Sequence, residues 1–281
     1  MRIAFQGEPG AFSEAAALRF APGAEVVACR SFEDVFAAVA EGRTTQGILP
    51  MENSIGGSIH RNYDLLVEHE LPIVGEVELP IEHCLLGRPG MKTSDVKVVY
   101  SHPQALAQCE RYLERMTGIE IVAVYDTAGG AKMVAEGTRA DAAAVASRRA
   151  AELFGLGILA ESIQDYAVNI TRFALVGRTP APDSDATKTS LVFALQSKPG
   201  ALFKALSGFA LRDINMTKLE SRPLRGRPWE YMFYVDVDAA RQSHECGRAI
   251  THLGEFAQWV RTLGSYRAWR ADPASGDSGL R

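Results

Sequence analysis

Short apolar runs alternate with segments of helical period over the first 176 residues, the pattern of α/β layers around a largely parallel sheet. Strands are predicted at 3–5, 26–28 and 47–50, the third stopping at its proline. Helices are predicted at 13–20, with Ser13 as N-cap, and at 32–41, where Ser31 opens the helix and Val35, Phe36 and Val39 share one face. A further helix covers 63–69. A second block begins near Pro80, with strands at 82–86, 96–100, 121–125, 142–146 and 158–160. Its helices fall at 103–116, 128–136 and 147–154. Ala174, Leu175 and Val176 then read as a short buried strand closed by Gly177.

This order predicts two similar α/β lobes. Lobe 1 covers about 1–78 plus 160–178, and lobe 2 about 79–159, within a domain spanning 1–178. A cleft between such lobes is a usual place for a small-molecule site. Residues 179–187, with two prolines, two aspartates and no large apolar side chain, read as a linker. From 188 to 271 the pattern changes to strand 190–195, helix 200–211, strands 216–220 and 231–237, helix 244–253 and strand 265–269. This βαββαβ order predicts a ferredoxin-like domain whose open edges invite dimerisation. The tail, 272–281, is small and polar and is expected to be disordered.

Composition narrows the function. The chain has 281 residues, 47% of them apolar, and a formal net charge of −4, which argues against nucleic acid as the main partner. No apolar run is long enough for a bilayer, so no membrane partner is expected. The N-terminus runs straight into a strand with no leader-like segment, and the four cysteines are scattered. Both features predict a cytoplasmic protein without structural zinc. Gly7-Glu8-Pro9-Gly10 is not a dinucleotide fingerprint, and there is no phosphate loop, nucleophile elbow or histidine cluster. The expectation is a reaction run by hydroxyls, amides and a carboxylate, with no metal and no cofactor.

Four stretches place such groups at strand ends, where open α/β sheets bind ligands. Glu52-Asn53-Ser54 is followed by Gly56 and Gly57, which let the backbone approach an anion. Ser101-His102-Pro103-Gln104 offers Ser101 as an N-cap, with Gln108 two helical turns on along the same face. Asp126-Thr127-Ala128-Gly129-Gly130 presents helix-end amides. Asn169-Ile170-Thr171-Arg172-Phe173 enters the strand that ends at Gly177. Each has a plainer reading as a capped turn or a surface charge. Arg172 either binds a carboxylate or forms a buried ion pair.

Taken in order, Gly7 to Ser13, Pro50-Met51-Glu52-Asn53-Ser54, Ser101-His102-Pro103-Gln104-Ala105 and Thr171-Arg172-Phe173 resemble the catalytic domain of the prephenate dehydratase family. The C-terminal segment resembles an ACT domain through Gly200-Ala201-Leu202 and Glu220-Ser221-Arg222-Pro223. The resemblance covers nearly the whole chain apart from the tail. It implies two α/β lobes like a type 2 periplasmic binding protein, followed by the ACT unit. It also implies conversion of prephenate to phenylpyruvate with loss of carbon dioxide and water, towards phenylalanine.

Carried over by position, Thr171 assists departure of the ring hydroxyl, with Glu52, Asn53, Ser101 and Gln108 as the other catalytic candidates. Glu52 is the candidate for a stronger acid behind Thr171 if burial raises its pKa. Ser54, Gly56, Thr127, Arg172 and Phe173 would hold the substrate. Gly200, Ala201, Leu202, Asn215, Glu220, Ser221, Arg222 and Pro223 would bind phenylalanine as a feedback effector at an ACT–ACT contact of a homodimer or homotetramer. The stretch from Gly56 to Leu66 looks more like the version in arogenate dehydratases, so arogenate is the alternative substrate. A catalytically silent amino-acid sensor is the alternative from another class.

Overall fold

The computed structural model describes residues 1–224, 226–227 and 229–270. In the first part of the chain, β1 (Arg2–Gln6), α1 (Phe12–Phe20), β2 (Glu25–Cys29), α2 (Phe32–Ala40) and β3 (Gln46–Asn53) alternate. The short β4 (Gly57–Ser58), α3 (His60–His69) and β5 (Ile73–Pro80) follow. A second group comprises β6 (Cys84–Gly87), β7 (Val98–Ser101), α4 (Pro103–Gln108), α5 (Glu110–Glu114) and β8 (Glu120–Ala123). It continues through α6 (Thr127–Glu136), β9 (Ala142–Ala146), α7 (Arg148–Phe154) and β10 (Gly157–Ala160). The chain then returns, and β11 (Ile170–Gly177) inserts into the first sheet. The orders are β2-β1-β3-β11-β5, with β4 on β3, and β10-β6-β9-β7-β8. β1 runs parallel to β2 and β3, and β7 parallel to β8 and β9, whereas β6 is antiparallel to β9 and β10.

Apolar period accounts for the packing. Ile3, Ala4 and Phe5 of β1 and Val35, Phe36, Ala38 and Val39 of α2 are fully buried, so the strand and one helix stripe share a core. β9 is all small residues and buried throughout. A Cβ on Gly130 would sit 3.1 Å from the Tyr100 carbonyl, so glycine is what lets α6 lie close against β7.

The last part of the chain contains β12 (Lys188–Leu195), α8 (Ala201–Ala210), β13 (Met216–Pro223), β14 (Tyr231–Val237), α9 (His244–Phe256) and β15 (Ala257–Tyr266). Its antiparallel sheet has the order β13-β14-β12-β15, the ferredoxin-like arrangement expected from βαββαβ. Leu191, Phe193, Val235 and Val237 on the sheet bury against Ala205 and Phe209 of α8 and Ala249 and Leu253 of α9. By compactness the chain divides into Met1–Leu65 with Val77–Ala174, and Leu66–Glu76 with the described residues from Leu175 on. Residues 183–185, in the segment read as a linker, form a 3-10 turn. The tail expected at 272–281 lies outside the described residues.

Four local expectations are corrected. Ser13 lies inside α1, whose N-cap is Ala11. The buried Glu14 carboxylate reaches back to the Gly10 amide at 2.7 Å, placing an acceptor with negative charge at the helix start in place of a serine hydroxyl. β3 continues through Pro50, because its pairing to β1 ends at Ile48 and the missing amide removes no bond from that ladder. The helix expected over 103–116 breaks at Cys109. There the Gln108 carbonyl accepts the Asp165 amide at 2.7 Å, which takes the place of a continuing helical bond. The last strand is 257–266 rather than 265–269, since Ala257 to Tyr266 pairs along the whole of β12.

Within the C-terminal unit, Lys188 Nζ donates to both oxygens of Glu76 at 2.7 and 3.0 Å. The two side chains are 11% and 2% exposed. Removing one charge of such a pair leaves the other buried alone. Lys188→Ala is expected to cost about 3 kcal/mol or more in denaturant unfolding. The double change Lys188→Met with Glu76→Gln should cost clearly less, because no charge is stranded.

Candidate active site

The site grows out of two adjacent strands of the first sheet. β3 ends at Asn53, and the neighbouring β11 begins at Ile170, so the ends of the two strands lie side by side. Side chains alternate along a strand, so Asn53 and Thr171 point one way and Glu52 and Arg172 the other. The first pair faces a cavity of about 430 Å³. The second pair forms its own contact: Arg172 Nη2 lies 3.4 Å from Glu52 Oε2 and donates to Tyr63 Oη at 3.2 Å.

Asn53 is 4% exposed and uses both ends of its amide. Its Oδ1 accepts from the backbone amides of Ile55 at 3.0 Å and Gly56 at 2.7 Å, and from Gln108 Nε2 at 3.1 Å. Its Nδ2 donates to Asn169 Oδ1 at 2.7 Å and to Thr171 Oγ1 at 2.9 Å. Asn169 Nδ2 in turn donates to Gln108 Oε1 at 2.9 Å, and His83 Nε2 lies 2.9 Å from that same oxygen. Because Asn53 already donates to the Thr171 oxygen, the threonine proton is left for a group in the cavity.

The cavity has an apolar wall set with polar groups, none of them cationic among the described lining residues. Four helices open onto it, through Ala11, Phe12 and Ser13 of the α1 start, Ser31, Phe32 and Glu33 of α2, His102 and Gln104 of α4, and Asp126 and Thr127 of α6. Their positive ends favour an anion. No lysine or arginine is among the described lining residues, whereas Glu33 and Asp126 are. Asp126 caps α6 through the Gly129 amide and accepts the Glu8 amide at 2.9 Å. Burial pushes its carboxyl above the ordinary range, with these two amides opposing the rise. Burial likewise lowers His83, with the Gln108 bond opposing, and lowers His102, with nearby Asp126 opposing. Both imidazoles are therefore held towards the neutral form.

Of the residues singled out in the sequence, Asn53, Gln108, Thr127, Thr171 and Phe173 line the cavity. Glu52 and Arg172 do not, which corrects the expectation that Glu52 stands behind Thr171 as an acid: the two-residue period of β3 turns it to the opposite face. Ser101 is the last residue of β7 and spends its hydroxyl on the Val145 carbonyl at 2.6 Å. It therefore shares no helix face with Gln108, and the α4 N-cap is His102, whose ring accepts the Gln104 amide at 3.2 Å. Ser54 holds β11 by an exchange of bonds with Ile170 at 2.8 and 3.0 Å. Gly56 lies against the cavity-lining Gln104, whose side-chain amide a Cβ there would displace.

His83 and Asn169 were missed as site residues. Their signal was a polar residue inside an apolar stretch, Ile81 to Leu86 for the histidine, and an amide at a strand entrance for the asparagine.

In the C-terminal unit, Gly200 takes a left-handed φ of 74° at the start of α8, and Ala201 and Leu202 pack against the unit's own core. Asn215 bonds Asp238 at 2.8 Å, and Glu220 lies 3.7 Å from Lys218. Ser221, Arg222 and Pro223 finish the edge strand β13, opposite Phe233, Met232 and Tyr231. A hollow of about 270 Å³ beside α8 includes Ala201, and none of Asn215 or 220–223 is among its described lining residues.

The sequence model of the prephenate dehydratase family matches residues 3–181. Arogenate dehydratase/prephenate dehydratase 1, chloroplastic, of Arabidopsis thaliana is 49% identical over 282 residues, covering 95% of this chain and 72% of that protein. The solved structure of GqqA, described as a novel type of quorum quenching acylase, superposes with a TM-score of 0.87 at 40% identity, covering 98% of this chain and 100% of that one. Prephenate dehydratase from Arthrobacter aurescens in complex with L-Phe superposes with a TM-score of 0.85 at 32% identity, covering 95% and 90%. The chloroplastic relatives overturn the expectation of a cytoplasmic location, which rested on the start of the chain and on cysteine usage, neither of which identifies a compartment.

Asn53→Asp tests the amide network without changing its shape. A carboxylate at this position faces Asn169 Oδ1 with a second acceptor, so the variant is expected to lose about 2–4 kcal/mol in denaturant unfolding at neutral pH. Burial raises the new carboxyl, and the protonated form can donate again. The deficit relative to wild type should therefore begin to shrink as pH falls through about 7 to 5.5 and be mostly gone by about 4.

Proposed function

The chain belongs to the prephenate dehydratase family, and from that premise we propose that Thr171 is the group that helps the substrate hydroxyl leave. The family's reaction takes prephenate to phenylpyruvate with loss of carbon dioxide and water. The bond from the ring to its carboxylate breaks, and that electron pair completes the aromatic ring. The ring C–O bond breaks in turn, and the leaving oxygen takes a proton. Aromatisation drives the step, so the protein has mainly to stabilise a departing hydroxide.

The observation that carries this reading is the 2.9 Å bond from Asn53 Nδ2 to Thr171 Oγ1. It commits the threonine oxygen as an acceptor and aims its proton into the cavity. The lining supports the rest. Helix-end amides can receive the side-chain carboxylate, and with no described cation lining the cavity, the carboxylate that must be lost meets no tight ion pair.

A second reading, arogenate as substrate, is supported by the same lining. Arogenate carries an ammonium where prephenate has a keto group, and the Asp126 carboxylate offers that charge a partner, whereas Glu33 is already paired with Arg61 at 2.7 Å. The Arabidopsis relative is named for both activities. Acyl transfer, the chemistry of the GqqA description, needs a nucleophile held by a base. Among the described residues no bond joins a cavity hydroxyl to an imidazole: His83 Nε2 meets Gln108, and His102 Nδ1 meets the Gln104 amide.

For the C-terminal unit we propose an ACT-type role, with phenylalanine as the effector. The two motifs, 200–202 and 220–223, line no common hollow among the described residues of one chain, which favours a site completed by a second subunit in a homodimer or homotetramer. The bound L-Phe of the Arthrobacter aurescens protein supports the choice of effector. Inhibition then requires phenylalanine to bind a less active state more tightly.

Supplying prephenate and arogenate separately, and following phenylpyruvate and phenylalanine, tests the reaction and ranks the two substrates. No product from either would leave an amino-acid sensor as the better reading. Thr171→Val should lower kcat by about 10²–10³ with KM nearly unchanged, as for loss of one oriented donor at a developing anion. Near-normal turnover would remove Thr171 from the mechanism. Arg222→Ala should keep kcat and KM while abolishing inhibition by phenylalanine, and unchanged inhibition would exclude that residue from the effector site.

A further inference from the structure

Asn53, Asn169 and Gln108 form a closed ring of three side-chain amides. Asn53 Nδ2 donates to Asn169 Oδ1 at 2.7 Å, Asn169 Nδ2 to Gln108 Oε1 at 2.9 Å, and Gln108 Nε2 to Asn53 Oδ1 at 3.1 Å. Such a ring can close in two directions, because turning all three amides over exchanges every donor with its acceptor. The direction matters for Thr171. In the sense described, Asn53 gives a proton to the Thr171 oxygen and leaves the hydroxyl proton free for the cavity. In the reverse sense Asn53 would offer its carbonyl oxygen, and the threonine would spend its proton on that oxygen.

Backbone amides outside the ring set the first direction, and an imidazole at its far side is placed to hold it. The backbone amides of Ile55 and Gly56 can only donate, and they hold Asn53 Oδ1 at 3.0 and 2.7 Å. At the opposite side, His83 Nε2 lies 2.9 Å from Gln108 Oε1. In the selected direction that oxygen is an acceptor, so His83 must carry its proton on Nε2. Nδ1 is then a bare lone pair, in keeping with its burial and its lack of a hydrogen-bond partner. The ring is 2% exposed, and Phe12 packs against it edge to face at 5.4 Å, leaving the imidazole little room to turn.

We propose that His83 is a positioning residue: by donating from Nε2 to Gln108, it locks the direction of the amide ring and so keeps the Thr171 proton aimed into the cavity. The inference rests on the role given to Thr171 in the dehydration. His83 touches no reacting atom in this scheme and acts through three amides.

The test has a spectroscopic arm and a kinetic arm. Nitrogen-detected NMR of the histidine-labelled wild-type protein should find His83 as the neutral Nε2–H tautomer at neutral pH. An Nδ1–H tautomer or an imidazolium there overturns the proposal without recourse to any variant. In the kinetic arm, His83→Phe should lower kcat about tenfold, the rate equivalent of one hydrogen bond, with KM nearly unchanged. His83→Gln, which can still donate, should recover part of that loss.

Gln108→Glu, which cannot donate to Asn53 Oδ1 as a carboxylate, should be impaired more than His83→Phe. The decisive comparison is His83→Phe in the Thr171→Val background, where it should add almost nothing, because the hydroxyl it directs is gone. Losses that multiply overturn the positioning role while the dehydratase reading stands. A wild-type protein inert on both prephenate and arogenate overturns that reading, and the role in turnover with it.

Discussion

The full set of hydrogen bonds around the Asn53 side chain is the constraint on which the rest of the site depends. An amide buried to this degree must find partners for both of its ends, and here they come from three parts of the chain. The donors to Oδ1 are the backbone of Ile55 and Gly56 and the side chain of Gln108. The acceptors from Nδ2 lie on the strand that returns from the second sheet. β3 must therefore run past Pro50, the 103–116 segment must break just after Gln108, and β11 must lie beside β3 at its very start. A side chain at Gly56 would push the Gln104 amide out of its place beside this network.

A network of neutral amides suits the task better than a charged one. Ion pairs in such a place would compete for the carboxylates of the substrate and would shift with protonation. Amides do neither, and the one titratable member, His83, is pushed by burial towards its neutral form. The charged neighbours, Glu52 and Arg172, are turned to the other face of the same strands and bond each other there. What the cavity offers a ligand is then helix ends and the Asp126 carboxylate.

The C-terminal unit follows a different logic. Its helices and one sheet face share an apolar core, while the Lys188–Glu76 pair is buried with almost no exposure. A pair of this kind contributes little net stability compared with a well-packed apolar replacement, yet strongly penalises any arrangement that separates the charges. It specifies where the 66–76 segment belongs in that unit rather than how stable the unit is.

Much of the fold was legible in the chain because it depends on local periodicity. The alternation of apolar runs with helical segments gave the two α/β layers, and βαββαβ gave the ferredoxin-like unit, since side-chain period is a property of each element alone. Ser31 announced its helix for the same local reason. Elements whose limits depend on distant partners were misjudged. β3 passes Pro50 because its neighbour stops at Ile48, α4 ends because Asp165 takes the Gln108 carbonyl, and the last strand follows β12 over its full length.

The candidate site divides along the same line. Thr171, Asn53 and Gln108 could be named from residue type and place, but a period of two puts Glu52 on the wrong face for the acid it was expected to be. His83 and Asn169 became site residues only when strands far apart in the chain came together. What the chain determined alone was which groups were available. Which way each faces, and hence which proton Thr171 keeps, was decided by tertiary contacts, because a hydrogen bond's direction is a property of the pair and not of either residue.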